Sequence, residues 1–321
     1  MNKKNVVYLF PGQGAQFPGM AMDLLESDTV KSLFNTASEI FGKDVKELLQ
    51  SDADTLKRTD VSQPAITVAN LAAAEYLKDK GFTPAACAGF SLGEYAALVC
   101  AGIVSAADCF RLIKARGEAM QKASDKLREA SGGDAAAAPG MAAIVGLAPE
   151  QVEELIAKWT NEGVKDLYAA NINSPKQLVV SGTAAALTEA ETRFKEAGAK
   201  RVIRLQVAGP FHSPLIADAA NDFSPTLESV KFSDPTIAIF SNVTGKKINS
   251  GDEAKKLALQ QITSPVRWVE EEASIAAGGY EACLEVGPGK VLQGLWKDSS
   301  PADGSGIPVF AAGTAEDISK L

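Results

Sequence analysis

The chain has 321 residues, of which 46% are hydrophobic and 22% are charged, and its formal net charge is −8 with an isoelectric point near 5.0. This length and composition suit one large α/β domain, or a large domain with a smaller insert. The acidic balance argues against a general nucleic-acid-binding protein, which would carry a basic patch or stripe.

Two further classes are disfavoured by the residues themselves. No apolar run approaches the roughly 20 residues that a membrane span needs, and the first residues lead directly into an apolar run, so we expect no signal peptide. The four cysteines form no C-x-x-C pair, and the chain has one histidine, which argues against a zinc site. We therefore expect reduced thiols in an intracellular protein. The cysteines are Cys87, Cys100, Cys109 and Cys283.

The first part of the chain alternates short apolar runs with helical patterns. One predicted helix has Pro64 in its first turn, a position that tolerates proline. The alanine-rich segment 124–138, which contains Gly132-Gly133, is predicted as a mobile loop or linker. In chain order the predicted elements are a strand at 6–10, helices at 30–41 and 64–80, a strand at 85–90, and helices at 92–101 and 106–122.

The next part of the chain has the order β-α-β-β-α-β, which is that of a split βαβ, ferredoxin-like unit. We interpret it as a small domain, 139–208, inserted in a larger domain made of 1–138 and 209–321. The larger domain resumes with strands at 237–241 and 282–286, and a surface loop is predicted at 301–306. The predicted elements of the small domain are strands at 141–147, 166–172, 177–182 and 201–207 and helices at 149–162 and 185–198.

Residues 89–93 read Gly-Phe-Ser-Leu-Gly, which fits the nucleophile elbow, a sharp strand-to-helix turn that exposes a serine. Free serine is a poor nucleophile and needs a general base close by. If that base is an imidazole, it can only be His212, the one histidine. The alternatives are a chance match for Ser91 and an ordinary core or surface role for His212.

Two other features are candidate parts of the same site. Pro11-Gly12-Gln13-Gly14 follows the first strand, and its Gln13 N–H, with that of Leu92, is a candidate oxyanion hole; a plain turn is the alternative, and the phosphate-loop pattern is absent. Arg116 lies at the edge of the apolar stripe of its helix, where a buried charge needs a carboxylate partner. That partner is either a substrate carboxylate, which the planar guanidinium can clamp, or a protein acid.

Taken together, the motifs resemble the malonyl-CoA:acyl carrier protein transacylase family, the acyltransferases of fatty acid synthesis. The resemblance runs over nearly the whole chain, and so many ordered motifs at compatible spacing are far more specific than the elbow alone. The motifs occupy 10–16, 63–65, 89–95, 116–117, 140–143, 173–175, 211–213, 264–266 and 285–289.

The resemblance implies an α/β-hydrolase-like large domain with an inserted ferredoxin-like small domain, and it implies catalytic roles. Ser91 would be the nucleophile and His212 its base. Backbone N–H groups of Gln13 and Leu92 would bind the oxyanion. The reaction would be a ping-pong transfer through a malonyl ester of Ser91.

The resemblance also implies substrate contacts. Arg116 would bind the malonyl carboxylate. Gln261 would lie where the family orients its histidine through a carbonyl oxygen, and Asn173 would lie near the cleft on the small domain. Phe211 resembles the malonyl-selective pattern, whereas Phe90 replaces a histidine of many bacterial members.

The implied function is transfer of the malonyl group from malonyl-CoA to the phosphopantetheine thiol of holo acyl carrier protein, with no bound cofactor or metal. The expected protein is a monomer that binds neither nucleic acid nor membrane. It would be cytoplasmic if bacterial, and in the plastid stroma or mitochondrial matrix if a processed eukaryotic chain. The alternatives are an acyltransferase serving a polyketide synthase, a serine esterase or thioesterase, and a non-catalytic carrier-binding scaffold.

Overall fold

The computed structural model describes residues 1–134, 136–301, 303–304 and 306–321. Within this part of the chain the strands form one five-stranded parallel sheet and one four-stranded antiparallel sheet. The strands are β1 Val6–Phe10, β2 Ala86–Gly89, β3 Gly140–Val145, β4 Leu167–Ser174, β5 Gln177–Gly182, β6 Arg201–Arg204, β7 Ala238–Ile239, β8 Ala282–Glu285 and β9 Val309–Ala311.

Helices cover both faces of the parallel sheet and one face of the antiparallel one. Among the described residues, none of them has both the length and the apolar character that crossing a membrane requires. They are α1 Asp28–Phe41, α2 Val45–Leu49, α3 Thr59–Asp79, α4 Gly93–Cys100, α5 Ala106–Ala130, α6 Pro149–Asn161, α7 Ala184–Glu196, α8 Ala217–Ser229, α9 Gly251–Gln260, α10 Trp268–Ala276, α11 Val291–Ser299 and α12 Ala315–Ser319.

The parallel sheet has the order β7-β2-β1-β8-β9, and its central strand β1 is buried along its whole length. Phe10 at the end of β1 is in register with Gly89 at the end of β2. The carboxyl ends of parallel strands meet at one edge of a sheet, which is where open α/β sheets bind ligands. The loop after β1 and the elbow after β2 are therefore neighbours at this edge.

The antiparallel sheet has the order β4-β5-β3-β6, which is the ferredoxin-like arrangement of a β-α-β-β-α-β chain. Helices α6 and α7 pack on it around a separate core that includes Trp159 and Phe194, whose rings meet edge to face. An α/β-hydrolase-like sheet with a ferredoxin-like unit is thus confirmed. The predicted boundaries at 139 and 208 lie just outside β3 and β6, and they stay a prediction.

The segment that follows α9 pairs with the small sheet through main-chain hydrogen bonds. Ile172 N–H donates to the Val266 carbonyl, with N and O 2.8 Å apart, and Val266 N–H donates to the Ala170 carbonyl at 2.9 Å. A side-chain bond from Ser181 Oγ to the Phe211 carbonyl, 2.5 Å long, holds the chain that returns from β6. The segment that follows α9 is therefore fixed between the two sheets.

The loop predicted at 124–138 is wrong over nearly its first half, 124–130, because α5 continues to Ala130. Ala123 and Ser124 are buried, and Lys122 and Lys126 form ion pairs with Asp222 and Asp218 of α8. Packing against the distant helix α8 stabilises the last turns, to which ion pairs as exposed as these add little, and local composition does not show this packing. Residue 135 of the predicted loop, and residues 302 and 305 of the loop predicted at 301–306, lie outside the described residues.

Other predicted bounds shift by a few residues. Helix α3 begins at Thr59, so Pro64 lies inside the helix and not in its first turn. The backbone N–H of Thr59 donates to Gln121 Oε1 at 2.8 Å, which caps the helix from α5. Strand β9 and helices α8 to α12 were not predicted, although β9 pairs with β8 in parallel.

Candidate active site

The elbow is built by two glycines and a strained serine. Ser91 has a backbone φ of 51°, in the left-handed region that non-glycine residues rarely adopt. A Cβ on Gly89 would lie 2.1 Å from the carbonyl carbon of Gly93, and a Cβ on Gly93 would lie 2.1 Å from the carbonyl oxygen of Phe10. Both glycines of the pentapeptide are therefore required sterically by the turn, which favours the elbow interpretation of the motif over a chance match.

His212 lies against the serine, although 121 residues separate them in sequence. Its Nε2 is 2.9 Å from Ser91 Oγ, and its Nδ1 is 2.9 Å from the backbone carbonyl oxygen of Gln261. A carbonyl oxygen can only accept, so Nδ1 carries the proton and Nε2 is the free acceptor. The imidazole is thus in the tautomer that a base for Ser91 needs, and Gln261 orients it through a carbonyl as predicted.

The environment of His212 disfavours the imidazolium form. The side chain is buried, and burial lowers its pKa from the usual 6.5 to about 4. The nearby positive charge of Arg116 adds to this lowering, whereas the bond to the Gln261 carbonyl opposes it. The imidazole is therefore neutral, and able to take a proton, at all pH values well above 4.

Arg116 is fully buried beside the serine, on helix α5. Its Nη2 donates to Gln261 Oε1 at 3.0 Å and lies 3.5 Å from Ser91 Oγ, and its guanidinium lies over the Tyr95 ring, 5.3 Å from the centroid. Within the described part of the chain, no carboxylate pairs with it, and its Nε and Nη1 have no hydrogen-bond partner. The structural ion pair considered for Arg116 is therefore not formed at contact distance, although the charge of Glu94 acts on Arg116 from farther away. A buried cation without a carboxylate in contact thus lies next to the serine.

Asn242 holds the elbow from behind and was not identified from the sequence. Its Oδ1 accepts two hydrogen bonds, one from the backbone N–H of Ser91 at 2.7 Å and one from Gln261 Nε2 at 3.2 Å. Its Nδ2 donates to the Gly89 carbonyl and to Glu271 Oε1, both at 2.7 Å. One amide side chain therefore links the strand before the serine, the serine itself and the residue that orients the histidine.

Two buried acids support Asn242. Glu94 Oε2 accepts the backbone N–H of Asn242 at 2.7 Å, and burial raises the pKa of Glu94 to about 7. Burial and the charge of Glu94 raise the pKa of Glu271 as well. Glu94 belongs to the motif after the elbow, but nothing in the sequence shows that it meets Asn242, 148 residues away.

The catalytic cavity, of about 280 Å³, opens at Ser91 and His212 between the two sheets. Gln13 and Phe90 line it from the side of the parallel sheet, and Asn173 and Phe211 line it from the other side. Phe90 rests edge to face on Trp268, with centroids 5.5 Å apart. Residues from separate predicted motifs thus line one cavity, whereas Leu92, Arg116 and Gln261 are buried next to it and do not line it.

The backbone N–H groups proposed for the oxyanion hole are available. Among the described residues, no oxygen accepts the N–H of Gln13 or of Leu92. The described residues also hold no cluster of three or more histidine, cysteine or acidic side chains placed to bind a metal ion, and the four cysteines are free thiols. The chemistry that this arrangement offers is nucleophilic attack by a serine activated by a neutral imidazole.

Comparison with known proteins gives a consistent result. Residues 7–309 match the family model described as acyl transferase domain. The chain is 39% identical to the malonyl CoA-acyl carrier protein transacylase of Bacillus subtilis over 91% of this chain and 89% of that one. An acyl carrier protein S-malonyltransferase structure from Vibrio cholerae superposes with a TM-score of 0.87, at 35% identity and 99% coverage of both chains.

A further similar structure shows a malonyl-transacylase in complex with a type II PKS acyl-carrier protein. It covers 99% of this chain and 98% of that chain, with a TM-score of 0.88 and 32% identity. These similarities extend over both sheets and are not limited to the elbow.

The low pKa of His212 predicts an unusual pH dependence for Ser91 reactivity. The rate of Ser91 modification by a sulfonyl fluoride, followed by intact-protein mass spectrometry, should stay constant as the pH falls until the pH approaches 4. It should then decline, with a midpoint near 4. The variant Arg116→Met removes the neighbouring charge, so its midpoint should move upward. Circular dichroism at each pH checks the fold, and a wild-type midpoint near 6.5, the usual histidine value, would contradict the prediction.

The position of Asn242 predicts that Asn242→Ala loses both stability and serine reactivity. The free energy of unfolding in urea should fall by about 1–3 kcal/mol, because buried polar partners lose their hydrogen bonds. Modification of Ser91 by the sulfonyl fluoride should also slow. Asn221→Ala, at an exposed position of α8, is the matched control and should change neither. Unaltered reactivity in Asn242→Ala would show that Asn242 does not position Ser91.

Proposed function

The chain belongs to the acyl transferase family, and we propose that it is an S-malonyltransferase that moves the malonyl group from malonyl-CoA to the phosphopantetheine thiol of acyl carrier protein. One observation carries the choice of malonyl. Arg116 is buried without a carboxylate partner among the described residues, and its Nη2 lies 3.5 Å from the nucleophilic oxygen. An acyl group on Ser91 that ends in a carboxylate supplies the missing partner, since guanidinium binds carboxylate through parallel hydrogen bonds.

In the first half of the reaction Ser91 takes the malonyl group from CoA. Ser91 Oγ attacks the thioester carbon while its proton passes to His212 Nε2. The negative charge that forms on the carbonyl oxygen is stabilised by the N–H groups of Gln13 and Leu92. When the intermediate collapses, the C–S bond breaks, the CoA sulfur takes the proton from His212, and a malonyl ester of Ser91 remains.

In the second half the carrier thiol takes the place of CoA. Its proton passes to His212 Nε2 as its sulfur attacks the ester carbon, and the same N–H groups bind the oxyanion. The C–O bond to Ser91 then breaks, and Ser91 Oγ recovers its proton from His212. In this proposed sequence of steps every proton and leaving group is accounted for by Ser91, His212 and the two thiols. Asn173 and Phe211 line the cavity and would contact the arm or the acyl group.

Fatty acid biosynthesis is the role we propose for the transfer, in a monomer without nucleic-acid or membrane partners. The compartment is the bacterial cytoplasm, or the plastid stroma or mitochondrial matrix if the chain is a processed eukaryotic one. The second candidate is service to a polyketide synthase, which the similar complex with a type II PKS carrier favours. Transfer rates to fatty acid and polyketide carriers separate the two.

The nucleophile assignment predicts a covalent adduct. Brief exposure to malonyl-CoA should add one malonyl group to the wild type, seen by intact-protein mass spectrometry, and none to Ser91→Ala. Ser32→Ala, at an exposed serine of α1, is the control and should be labelled normally. Holo carrier protein should discharge the adduct. Steady CoA release without an adduct would instead indicate a hydrolase. If the wild type shows no adduct and releases no CoA, malonyl-CoA is excluded as the donor.

The charge of Arg116 predicts selectivity for malonyl over acetyl. In Arg116→Ala, kcat/KM for malonyl-CoA should fall about 30-fold or more, which is the effect of removing one partner of a buried charge pair. The value of kcat/KM for acetyl-CoA should fall less, because acetyl has no carboxylate. The preference for malonyl should therefore collapse. Arg116→Lys keeps the positive charge but not the planar guanidinium with its paired donors, so it should retain only part of the wild-type preference for malonyl. An unchanged malonyl-to-acetyl ratio in Arg116→Ala would refute the role of Arg116.

A further inference from the structure

The loop after β1 carries one of the two N–H groups proposed for the oxyanion hole, so the way this loop is held decides where that N–H points. Phe10, the last residue of β1, is fixed, because its carbonyl accepts the N–H of Phe90 at 2.9 Å. Gln13 follows three residues later, and its N–H meets no acceptor among the described residues. The direction of this N–H therefore depends on what holds Pro11 and Gly12 in between.

Asn70 holds the first of these two residues. It lies near the middle of helix α3 and is fully buried, and its Nδ2 donates to the Pro11 carbonyl at 3.0 Å. A carbonyl oxygen can only accept, so the amide must have its nitrogen turned toward the loop. Because the proline ring already fixes φ, a bond to the Pro11 carbonyl fixes the one backbone dihedral that is still free. Asn70 thus sets the direction in which the chain leaves Pro11.

The next residue, Gly12, is packed against the elbow. A Cβ on Gly12 would lie 2.4 Å from the carbonyl oxygen of Phe90, so the two backbones are in direct contact. From the side of the elbow, a Cβ on Gly93 would lie 2.9 Å from the Pro11 carbonyl oxygen, the acceptor of the amide bond. A rotation of the Pro11 carbonyl would therefore disturb the loop and the elbow together.

The other end of the Asn70 amide has no partner. Its Oδ1 is buried and accepts no hydrogen bond within the described part of the chain. Gly287, in the loop after β8, covers it, since a Cβ there would lie 1.9 Å from Asn70 Oδ1 and 2.8 Å from Pro11 Cγ. A buried acceptor without a donor is costly, and an apolar side chain at this helical position would avoid the cost. The bond to Pro11 is therefore the feature that accounts for an asparagine here.

The residues after Gln13 are held in a different way. Gly14 N–H donates to Gln16 Oε1 at 2.7 Å, and Gln16 Nε2 donates to the Leu56 carbonyl at 3.2 Å. Gly14 is exposed and Gln16 is half-buried, so these bonds hold the outer part of the loop, at the mouth of the catalytic cavity. The inner part, which leads from the sheet to the Gln13 N–H, is held by Asn70.

We propose that Asn70 is a positioning residue for the oxyanion hole. It holds the Pro11 carbonyl, and through Gly12 it keeps the Gln13 N–H directed at the oxygen that becomes negative when the acyl group is attacked. Asn70 does not line the catalytic cavity, so it acts through the loop and not on the substrate. The proposal rests on the malonyl transfer proposed above, because an oxyanion forms in both half-reactions of that transfer.

Steady-state rates give the first test. Asn70→Ala removes the donor to the Pro11 carbonyl, so kcat/KM for malonyl-CoA should fall about tenfold or more, because a small misplacement of an oxyanion donor slows the reaction strongly. The same oxyanion hole serves both half-reactions, so kcat/KM for holo carrier protein should fall by a similar factor. The fall should lie in kcat and not in KM, since the bond to the oxyanion is made only in the transition state. A fall for one substrate alone would indicate a role in binding that substrate and overturn the proposal.

The malonyl ester of Ser91 gives a readout that a loss of stability would not change. Its carbonyl oxygen lies in the oxyanion hole, where the two N–H donors weaken the C=O bond and lower its stretching frequency. Infrared difference spectra between unlabelled malonyl-CoA and malonyl-CoA with the heavy carbon isotope at the thioester carbon isolate this band. In Asn70→Ala the band should move to higher wavenumber, because the Gln13 N–H is displaced from the oxygen. Slower rates with an unmoved band would mean that Asn70 only supports the fold, which overturns the proposal.

Thr67→Val is the matched control. Thr67 lies one turn before Asn70 on helix α3, is also fully buried, and its hydroxyl has no hydrogen-bond partner among the described residues. Valine keeps the shape of threonine, so the rates and the carbonyl band should stay at their wild-type values. A shifted band in Thr67→Val would show that any change in α3 moves the loop, and it would overturn the specific role of Asn70.

Asn70→Leu separates the hydrogen bond from the shape of the side chain. Leucine fills the space of asparagine without a donor, so this variant should show the same loss of rate and the same band shift as Asn70→Ala. Wild-type rates and an unmoved band in Asn70→Leu would show that packing and not the bond to Pro11 holds the loop, which overturns the proposal. Failure of the malonyl transfer itself would appear separately, as a wild type that forms no labelled ester.

Discussion

The hydrogen bond between His212 Nδ1 and the backbone carbonyl of Gln261 is the interaction on which the site depends. It fixes the tautomer of the imidazole, and the tautomer decides that Nε2 faces Ser91 as an acceptor. The carbonyl is itself held, because the segment around Val266 pairs with the small sheet and the Gln261 side chain donates to the Ser91 carbonyl at 3.0 Å. Both sheets are therefore needed to present one base to one nucleophile.

Asn242 performs the equivalent task for the nucleophile. A serine at positive φ is a strained element, and such strain persists only where the surroundings fix the backbone. The Asn242 side chain accepts the Ser91 N–H and donates to the Gly89 carbonyl, so it fixes the turn on both sides. Glu94 and Glu271 then fix Asn242. Every polar group of Asn242 has a partner, so this buried network specifies a single geometry at the elbow.

The sequence predicted the parts of the site whose signals are local. The glycines around Ser91, the strand before it and the helix after it follow from residues 85–101, and His212 followed from being the one histidine. Gln13 and Arg116 were candidates from their own sequence surroundings, with alternatives left open, whereas Gln261 was placed through the family resemblance alone. Asn242 carries no local signal, because its role depends on contacts with residues about 150 positions away. The extension of α5 to Ala130 was missed for the same reason, since its ion pairs with α8 span about 100 residues.

A backbone carbonyl, and not an aspartate, orients the histidine, so the orienting group brings no negative charge into the site. The Gln261 side chain likewise meets Arg116 Nη2 with a neutral amide oxygen, 3.0 Å away. An ion pair in this buried place would be strong, because the low dielectric that makes charges costly also strengthens their attraction. Arg116 would then be neutralised before any substrate arrived. A neutral carbonyl orients the imidazole without forming an ion pair with the arginine, so Arg116 keeps its charge for the acyl carboxylate proposed above.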